Sequence, residues 1–98
     1  MDTLVIVPIT SSVSAGTDIT LPNNVRLKRI GSAYRITMSD ATVAGACSAL
    51  TVVTTTPASG QIYLSGERTI QVGDDLTTRD IIVIYGIAKG EIPGYGDL

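Results

Sequence analysis

One uncharged run, Ile-Ile-Val-Ile-Tyr-Gly-Ile-Ala at residues 81–88, constrains the fold of this chain more than any other stretch. Four of its eight residues are isoleucine, and β-branched side chains favour strands over helices. The run shows neither a helical nor an alternating pattern of polarity, and its length suits a strand better than a helix. It therefore predicts a central β-strand that is covered on both faces.

The composition suits one small domain whose surface carries few charges. The chain has 98 residues, which is enough for one domain and too few for two. Charged residues make up 16% of the chain, against about 25% in typical globular domains. A subunit whose surface is partly covered in an assembly explains this value, and so does an ordinary monomer with a surface rich in threonine and serine.

Turn residues recur at intervals of about eight to twelve residues, which is typical of small all-β folds. The runs between these turns are rich in β-branched residues and predict strands at residues 3–9, 18–21, 50–56, 61–64 and 68–72. The predicted fold class is therefore all-β. We expect a small single-domain antiparallel sandwich or barrel formed by residues 1–88.

Residues 25–38 predict a β-hairpin. The dipeptide Gly31-Ser32 lies near the centre of this segment, and glycine at the first position of a two-residue loop suits a type II′ turn. In the resulting register Leu27 lies opposite Ile36. One face of the hairpin is then apolar and the other is basic, as a half-buried antiparallel pair requires.

Residues 39–50 admit two interpretations. Val43, Ala46, Cys47 and Leu50 recur with helical spacing and predict a short helix, whereas a glycine within the segment favours an irregular connection. Cys47 is the only cysteine of the chain, so it cannot form an internal disulfide. We expect its side chain to be buried as a small hydrophobic group.

A basic cluster is the strongest polar signal of the sequence. Four of the seven basic residues lie within ten positions: Arg26, Lys28, Arg29 and Arg35. The simplest interpretation is the solvated face of the hairpin. A second interpretation is a contact surface between identical subunits arranged head to tail, because five of the nine acidic residues lie in the last quarter of the chain. Nucleic acid is a weaker third candidate and is not expected, because Tyr34 is the only aromatic residue near the cluster.

Residues 89–98 differ in character from the rest of the chain. Three glycines and a proline preclude regular structure in this segment, yet it carries three spaced apolar residues, Ile92, Tyr95 and Leu98. A disordered tail is one interpretation. The other is an extended C-terminal arm that places these three residues on a neighbouring surface, and they join the basic cluster as candidate interface residues.

The residue types favour a protein that is not an enzyme. The chain has no histidine, which removes histidine-assisted nucleophiles and the usual zinc sites, and it has no phosphate-binding glycine motif. A calcium site formed by Asp74, Asp75 and Asp80 is a weaker alternative, since their spacing matches no EF-hand loop. An enzyme that uses paired carboxylates is weaker still. No cofactor and no bound metal are expected.

The chain resembles, in general character, the small all-β virion proteins of bacterial and archaeal viruses. The resemblance lies in the Thr/Val/Ile-rich strands, the run Gly-Asp-Asp-Leu-Thr-Thr-Arg-Asp-Ile-Ile-Val-Ile at residues 73–84, and the Gly/Pro-rich end of the chain. Capsid cement, decoration and minor capsid subunits are of this kind. The resemblance implies a structural protein of the virion that contacts copies of itself, a larger protein shell, or both. It includes no residue-level motif and assigns no functional residue.

The N-terminus predicts no export signal. Its apolar run is short, ends at Pro8 and follows Asp2 in place of a basic segment, and no stretch has membrane-spanning length. We therefore expect synthesis in the host cytoplasm before assembly into the virion. The alternative function is a monomeric β-domain binding module that uses the basic hairpin face for an anionic partner or a carbohydrate.

Overall fold

The apolar run at residues 81–88 lies within a central strand that pairs with a neighbour on each side. The structure is a computed structural model and describes residues 2–39, 42 and 44–89. In this part of the chain there are seven strands and no α-helix. The strands are β1 (Asp2–Pro8), β2 (Ile19–Thr20), β3 (Leu27–Thr37), β4 (Ala46–Val53), β5 (Gln61–Gly66), β6 (Thr69–Val72) and β7 (Asp80–Ala88), with a 3-10 turn at Pro22–Asn24.

The seven strands form one curled sheet in the order β1-β7-β3-β4-β5-β6-β2. Neighbouring strands are antiparallel except for β4 and β5, which are parallel. The predicted all-β fold class is confirmed. The sheet is a mixed half-barrel rather than a purely antiparallel sandwich or closed barrel, because β4 and β5 are joined by a crossing loop instead of a hairpin.

The core lies on the inner, concave side of this sheet. The central strand β7 contributes Ile82 and Ile84, which are fully buried among aliphatic side chains from all the longer strands. No element among the described residues covers the other side of β7, and Tyr85 is 52% exposed. The prediction of a central strand is confirmed, whereas its coverage on both faces is wrong, because a single curled sheet encloses only one of its faces.

The predicted hairpin at residues 25–38 is wrong, because β3 passes straight through Gly31 and Ser32. Leu27 and Ile36 therefore lie on the same strand and are not partners. Two β-bulges cause the misleading pattern, one between Leu27 and Arg29 and one between Ile30 and Ser32. Each bulge adds a residue on β3 and shifts the alternation, so the buried positions of this strand are three apart instead of two.

The predicted short helix at residues 39–50 is also wrong for the described part of that segment. Ala46–Val53 is a strand, and its first half pairs with β3 from Ala46 opposite Thr37 to Leu50 opposite Ala33. Cys47 is exposed rather than buried, since it faces away from the core. The helical spacing failed as a signal because Ala46 and Cys47 are too small to build an apolar helix face, while β3 offers a ladder of backbone hydrogen bonds.

Candidate interaction surface

The side of the sheet opposite the core is a continuous apolar surface across β1, β7, β3 and β4. Residues that lie opposite each other in the strand register share a face of the sheet. Three such rows cross these strands: Leu4–Tyr85–Ser32, Ile6–Val83–Tyr34–Ala49 and Pro8–Ile81–Ile36–Cys47. We call these residues the outer face.

The outer face exposes large apolar side chains to solvent. Leu4 is 48% exposed, Ile6 is 53% exposed and Tyr34 is 39% exposed, while Ile81 and Val83 between them are half-buried. None of the residues in these three rows is charged, and the exposed Arg29 lies opposite Ile87 at their rim. Contiguous exposed apolar patches on a soluble protein mark sites of contact with other molecules.

Sequence reasoning missed this surface although its signal was present. Residues 4–7 and 81–84 are apolar at every position, so both faces of β1 and β7 carry apolar side chains. This pattern predicts a strand buried on two sides when a second layer is available. With a single curled sheet, the same pattern leaves one apolar side of these strands facing outward.

The structure separates the four residues of the predicted basic cluster. Lys28 and Arg29 are both exposed because the first bulge of β3 turns two successive side chains away from the core. Arg26 is half-buried just before β3 begins. Arg35 lies six residues beyond Arg29, about 20 Å along the strand, and points toward the inner side.

Arg35 forms a partly buried ion pair with Asp80, which is only 1% exposed. The Arg35 Nε atom lies 3.0 Å from Asp80 Oδ1, and a terminal guanidinium nitrogen lies 3.2 Å from Oδ2. The hydroxyl of Thr37 donates to Oδ1 at 2.6 Å, and the backbone N–H of Thr77 donates to Oδ2 at 2.8 Å. This network joins the end of β3 to the loop before β7.

The network also determines the ionisation of Asp80. Burial on its own raises the pKa of Asp80, but the hydrogen bonds from Arg35, Thr37 and the Thr77 backbone outweigh burial and lower the pKa to about 2. Asp80 therefore stays charged at neutral pH and pairs with Arg35, not with its neighbour in sequence, Arg79. Arg35 serves the inner structure in this way, unlike the exposed Lys28 and Arg29.

In the loop that suggested a calcium site, the carboxylates of Asp74 and Asp75 accept hydrogen bonds from other groups of the protein. Asp74 accepts hydrogen bonds from the hydroxyl of Ser59 at 2.6 Å and from the backbone N–H of Gly60 at 2.8 Å, and these bonds lower the pKa of Asp74. Asp75 accepts from the N–H of Ala15 at 2.9 Å. Within the described ranges, no three acidic, histidine or cysteine side chains are placed to hold a metal ion.

A cleft of about 340 Å³ lies between β3 and the ends of β4 and β5. Lys28 and Arg29 line it on the β3 side. Beside it, Lys89 shares a second groove with Lys28 and forms an ion pair with Glu67. The remaining predicted interface residues, Ile92, Tyr95 and Leu98, lie outside the described residues.

No family model, curated protein or solved structure matches this chain. In the part of the chain that the structure describes, no helix has the length and apolar character needed to cross a membrane.

Proposed function

We propose that this protein is a non-enzymatic assembly subunit that binds a second copy of itself through the outer face. The observation that carries the proposal is the exposed apolar surface across four strands. Removing apolar surface from water contributes roughly 25 cal/mol per Å², so a partner that covers this surface gains stability. Because the three rows of the outer face have no charged residue, two copies can meet over these rows without burying an unpaired charge, while Arg29 stays at the rim.

The assembly that we propose is a virion. The general resemblance to small all-β virion proteins and the low charged fraction of the chain support a cement, decoration or minor capsid subunit. Such a subunit contacts copies of itself and the larger protein shell. Its proposed function is to bind neighbouring protein subunits, so the proposal assigns no catalytic residue and no cofactor.

The single cysteine of the chain gives a direct test of the outer face. Cys47 lies on this face opposite Ile36 and is exposed. We expect its reaction with a maleimide reagent to slow about tenfold when the protein is concentrated enough to associate, because the partner then shields the thiol from the reagent. Dilution should restore the fast rate.

A cysteine introduced on another part of the sheet provides the matched control. In the double variant Cys47→Ser, Thr20→Cys the thiol lies on β2, at the opposite edge of the sheet from β1. Its rate should not depend on protein concentration. Equal concentration dependence of the two thiols, or none for Cys47, would contradict association through the outer face.

The second candidate function is a monomeric binding module for an anionic partner. The basic hairpin face on which it was based does not exist, but Lys28 and Arg29 are exposed beside the cleft between β3 and β5. A Cys47 thiol that reacts at one rate at all concentrations would favour this candidate over the assembly subunit.

A further inference from the structure

The sheet ends in two edge strands of different length, β1 and β2. Among the described strands, β1 pairs only with β7, and β2 pairs only with β6. β2 has two residues, whereas β1 has seven and keeps one register with β7 without a bulge. Natural proteins often protect a long edge strand with a bulge, a lysine or an inward-pointing charge, and β1 has none of these. β1 is therefore an edge to which a further strand can add.

The backbone groups of β1 alternate between β7 and the open edge. The N–H of Ile9 donates to the carbonyl of Asp80 at 3.1 Å, and in an antiparallel pair only every second residue bonds to a given neighbour. The odd-numbered residues of β1 therefore bond to β7, whereas the N–H and carbonyl groups of Leu4 and Ile6 point to the open edge. No other described backbone group bonds to them. Pro8 also faces this edge, where its missing N–H marks the end of the pairing surface.

The two sides of β1 differ in what covers them. Val5 is buried in the core, and Thr3, which shares this inner side, lines a groove with the 3-10 turn. Leu4 and Ile6 lie on the outer face, where about half of each side chain is exposed. The same two residues therefore present both open backbone groups and exposed apolar side chains.

We infer that β1 pairs with β1 of a second copy as an antiparallel extension of the sheet, about a two-fold axis at Val5. In this register Leu4 lies opposite Ile6 of the second copy, and Ile6 lies opposite its Leu4. Each of these N–H groups then meets a carbonyl, and apolar side chains meet on the outer face. The outer faces of the two copies become one continuous surface. The inference rests on the proposed assembly and adds a second contact to it.

The edge is complementary to itself, which favours a second copy over a different partner. An axis at Val5 aligns the full length of both strands, from Asp2 to Pro8. Moving the axis to Leu4 or Ile6 shortens this overlap. An axis at Ile6 also places Pro8 opposite Leu4, so that a carbonyl of the edge loses its N–H donor. A chain with two self-pairing contacts, one at its edge and one on its outer face, forms a row or a closed ring of copies.

Disulfide trapping tests the register. Two full-length variants are made in a Cys47→Ser background, one with Leu4→Cys and one with Ile6→Cys. In the proposed register, cysteines at positions 4 and 6 of different chains lie about 5.5 Å apart between Cα atoms, which a disulfide can bridge. Two copies of the same variant place their cysteines diagonally, about 7–8 Å apart. Oxidation of an equal mixture should therefore give about fivefold more linked dimer than either variant alone, measured by mass spectrometry with one chain isotopically labelled.

Thr20→Cys in the same background is the matched control. Thr20 is exposed on β2, the edge that is too short to pair in this way. Its cysteine should link to neither of the other two. A mixture that gives no more linked dimer than the single variants overturns the inference.

Amide hydrogen exchange of the original chain tests the pairing without any substitution. We expect exchange at Leu4 and Ile6 to slow about tenfold as the protein is concentrated, because their N–H groups become hydrogen-bonded. The N–H of Thr20 points to the open edge of β2 and should exchange at one rate at all concentrations. Protection of Leu4 and Ile6 that is equal at all concentrations would indicate a segment of the same chain on this edge and would overturn the inference.

Failure of the edge contact and failure of the proposed function give different results. A chain that is monomeric at every concentration overturns both. Shielding of Cys47 without linkage between positions 4 and 6 overturns only the edge contact. Linkage without shielding contradicts only the proposed use of the outer face, because Cys47 lies on β4, which β7 and β3 separate from β1.

Discussion

Replacing Asp80 by alanine is expected to lower the free energy of unfolding by about 3 kcal/mol, because it leaves the guanidinium of Arg35 without its carboxylate. The substitution also removes the acceptor for the hydroxyl of Thr37 and the N–H of Thr77. We place the effect at the lower end of the range for broken buried ion pairs because the Arg35 side chain is 27% exposed and is reached by water. Urea unfolding curves measure the change directly.

Asp75→Ala is the matched control for this variant. Asp75 lies in the same loop, is exposed, and accepts one hydrogen bond from the N–H of Ala15. Its loss should cost no more than about 1 kcal/mol. Equal destabilisation by the two substitutions would show that the Asp80 network contributes no more than an ordinary loop contact.

The same carboxylate predicts a specific dependence of stability on pH. The folded state lowers the pKa of Asp80 from 3.8 to about 2, so the folded protein binds fewer protons than the unfolded chain in this range. The resulting stabilisation, roughly 2 kcal/mol, is fully present above pH 5 and is lost as the pH falls through 2. The Asp80→Ala variant should show a pH profile that is flatter by this amount, and an identical profile would contradict the assignment.

Gly73→Ala is the second substitution with a large expected effect, a loss of about 3 kcal/mol. A Cβ atom at position 73 would lie 1.8 Å from the carbonyl oxygen of Ala58 and 2.3 Å from its carbon. That backbone cannot withdraw easily, because the N–H and the carbonyl of Ala58 are both hydrogen-bonded to Gln61, at 2.8 and 3.1 Å. Overpacking against fixed backbone costs roughly 1–3 kcal/mol, and the overlap here is severe.

Gly31→Ala separates this clash from a general effect of replacing glycine. A Cβ atom at Gly31 would meet the carbonyl oxygen of Tyr85 at 3.3 Å, which a shift of a few tenths of an ångström relieves. We expect a change below about 1 kcal/mol. Thermal unfolding of both variants side by side gives the comparison, and a Gly73→Ala protein as stable as Gly31→Ala would show that the turn at Ala58 adapts.

The parts of the fold that depend on local sequence were predictable. The β-branched run of β7 and the turns that bound β5 and β6 each carry their own signal, and the structure confirms these strands within about two residues. The all-β class follows from them. The order of strands in the sheet was not predictable, because pairing between β3 and β7 depends on contacts between distant parts of the chain.

Local sequence patterns gave wrong predictions where tertiary pairing outweighed them. Gly31 resembles a turn glycine, yet it lies beside a bulge on a strand that continues without reversal. The ion pair between Arg35 and Asp80 joins residues 45 positions apart, so the sequence offered no reason to remove Arg35 from the basic cluster. The outer face was not predictable for a different reason, since an apolar run has the same sequence whether one or both faces of its strand are covered.

Native mass in solution, measured by light scattering coupled to size exclusion, tests the assembly subunit most directly. The original chain and the variant Ile6→Lys are compared over the same range of protein concentration. Ile6 is 53% exposed on the outer face, so at concentrations too low for association the substitution should leave the melting temperature nearly unchanged. We expect a dimer or larger species for the original chain and a monomer for Ile6→Lys, because the substitution places a charge in an apolar contact. A monomeric original chain, or an assembly that Ile6→Lys does not weaken, would contradict the account.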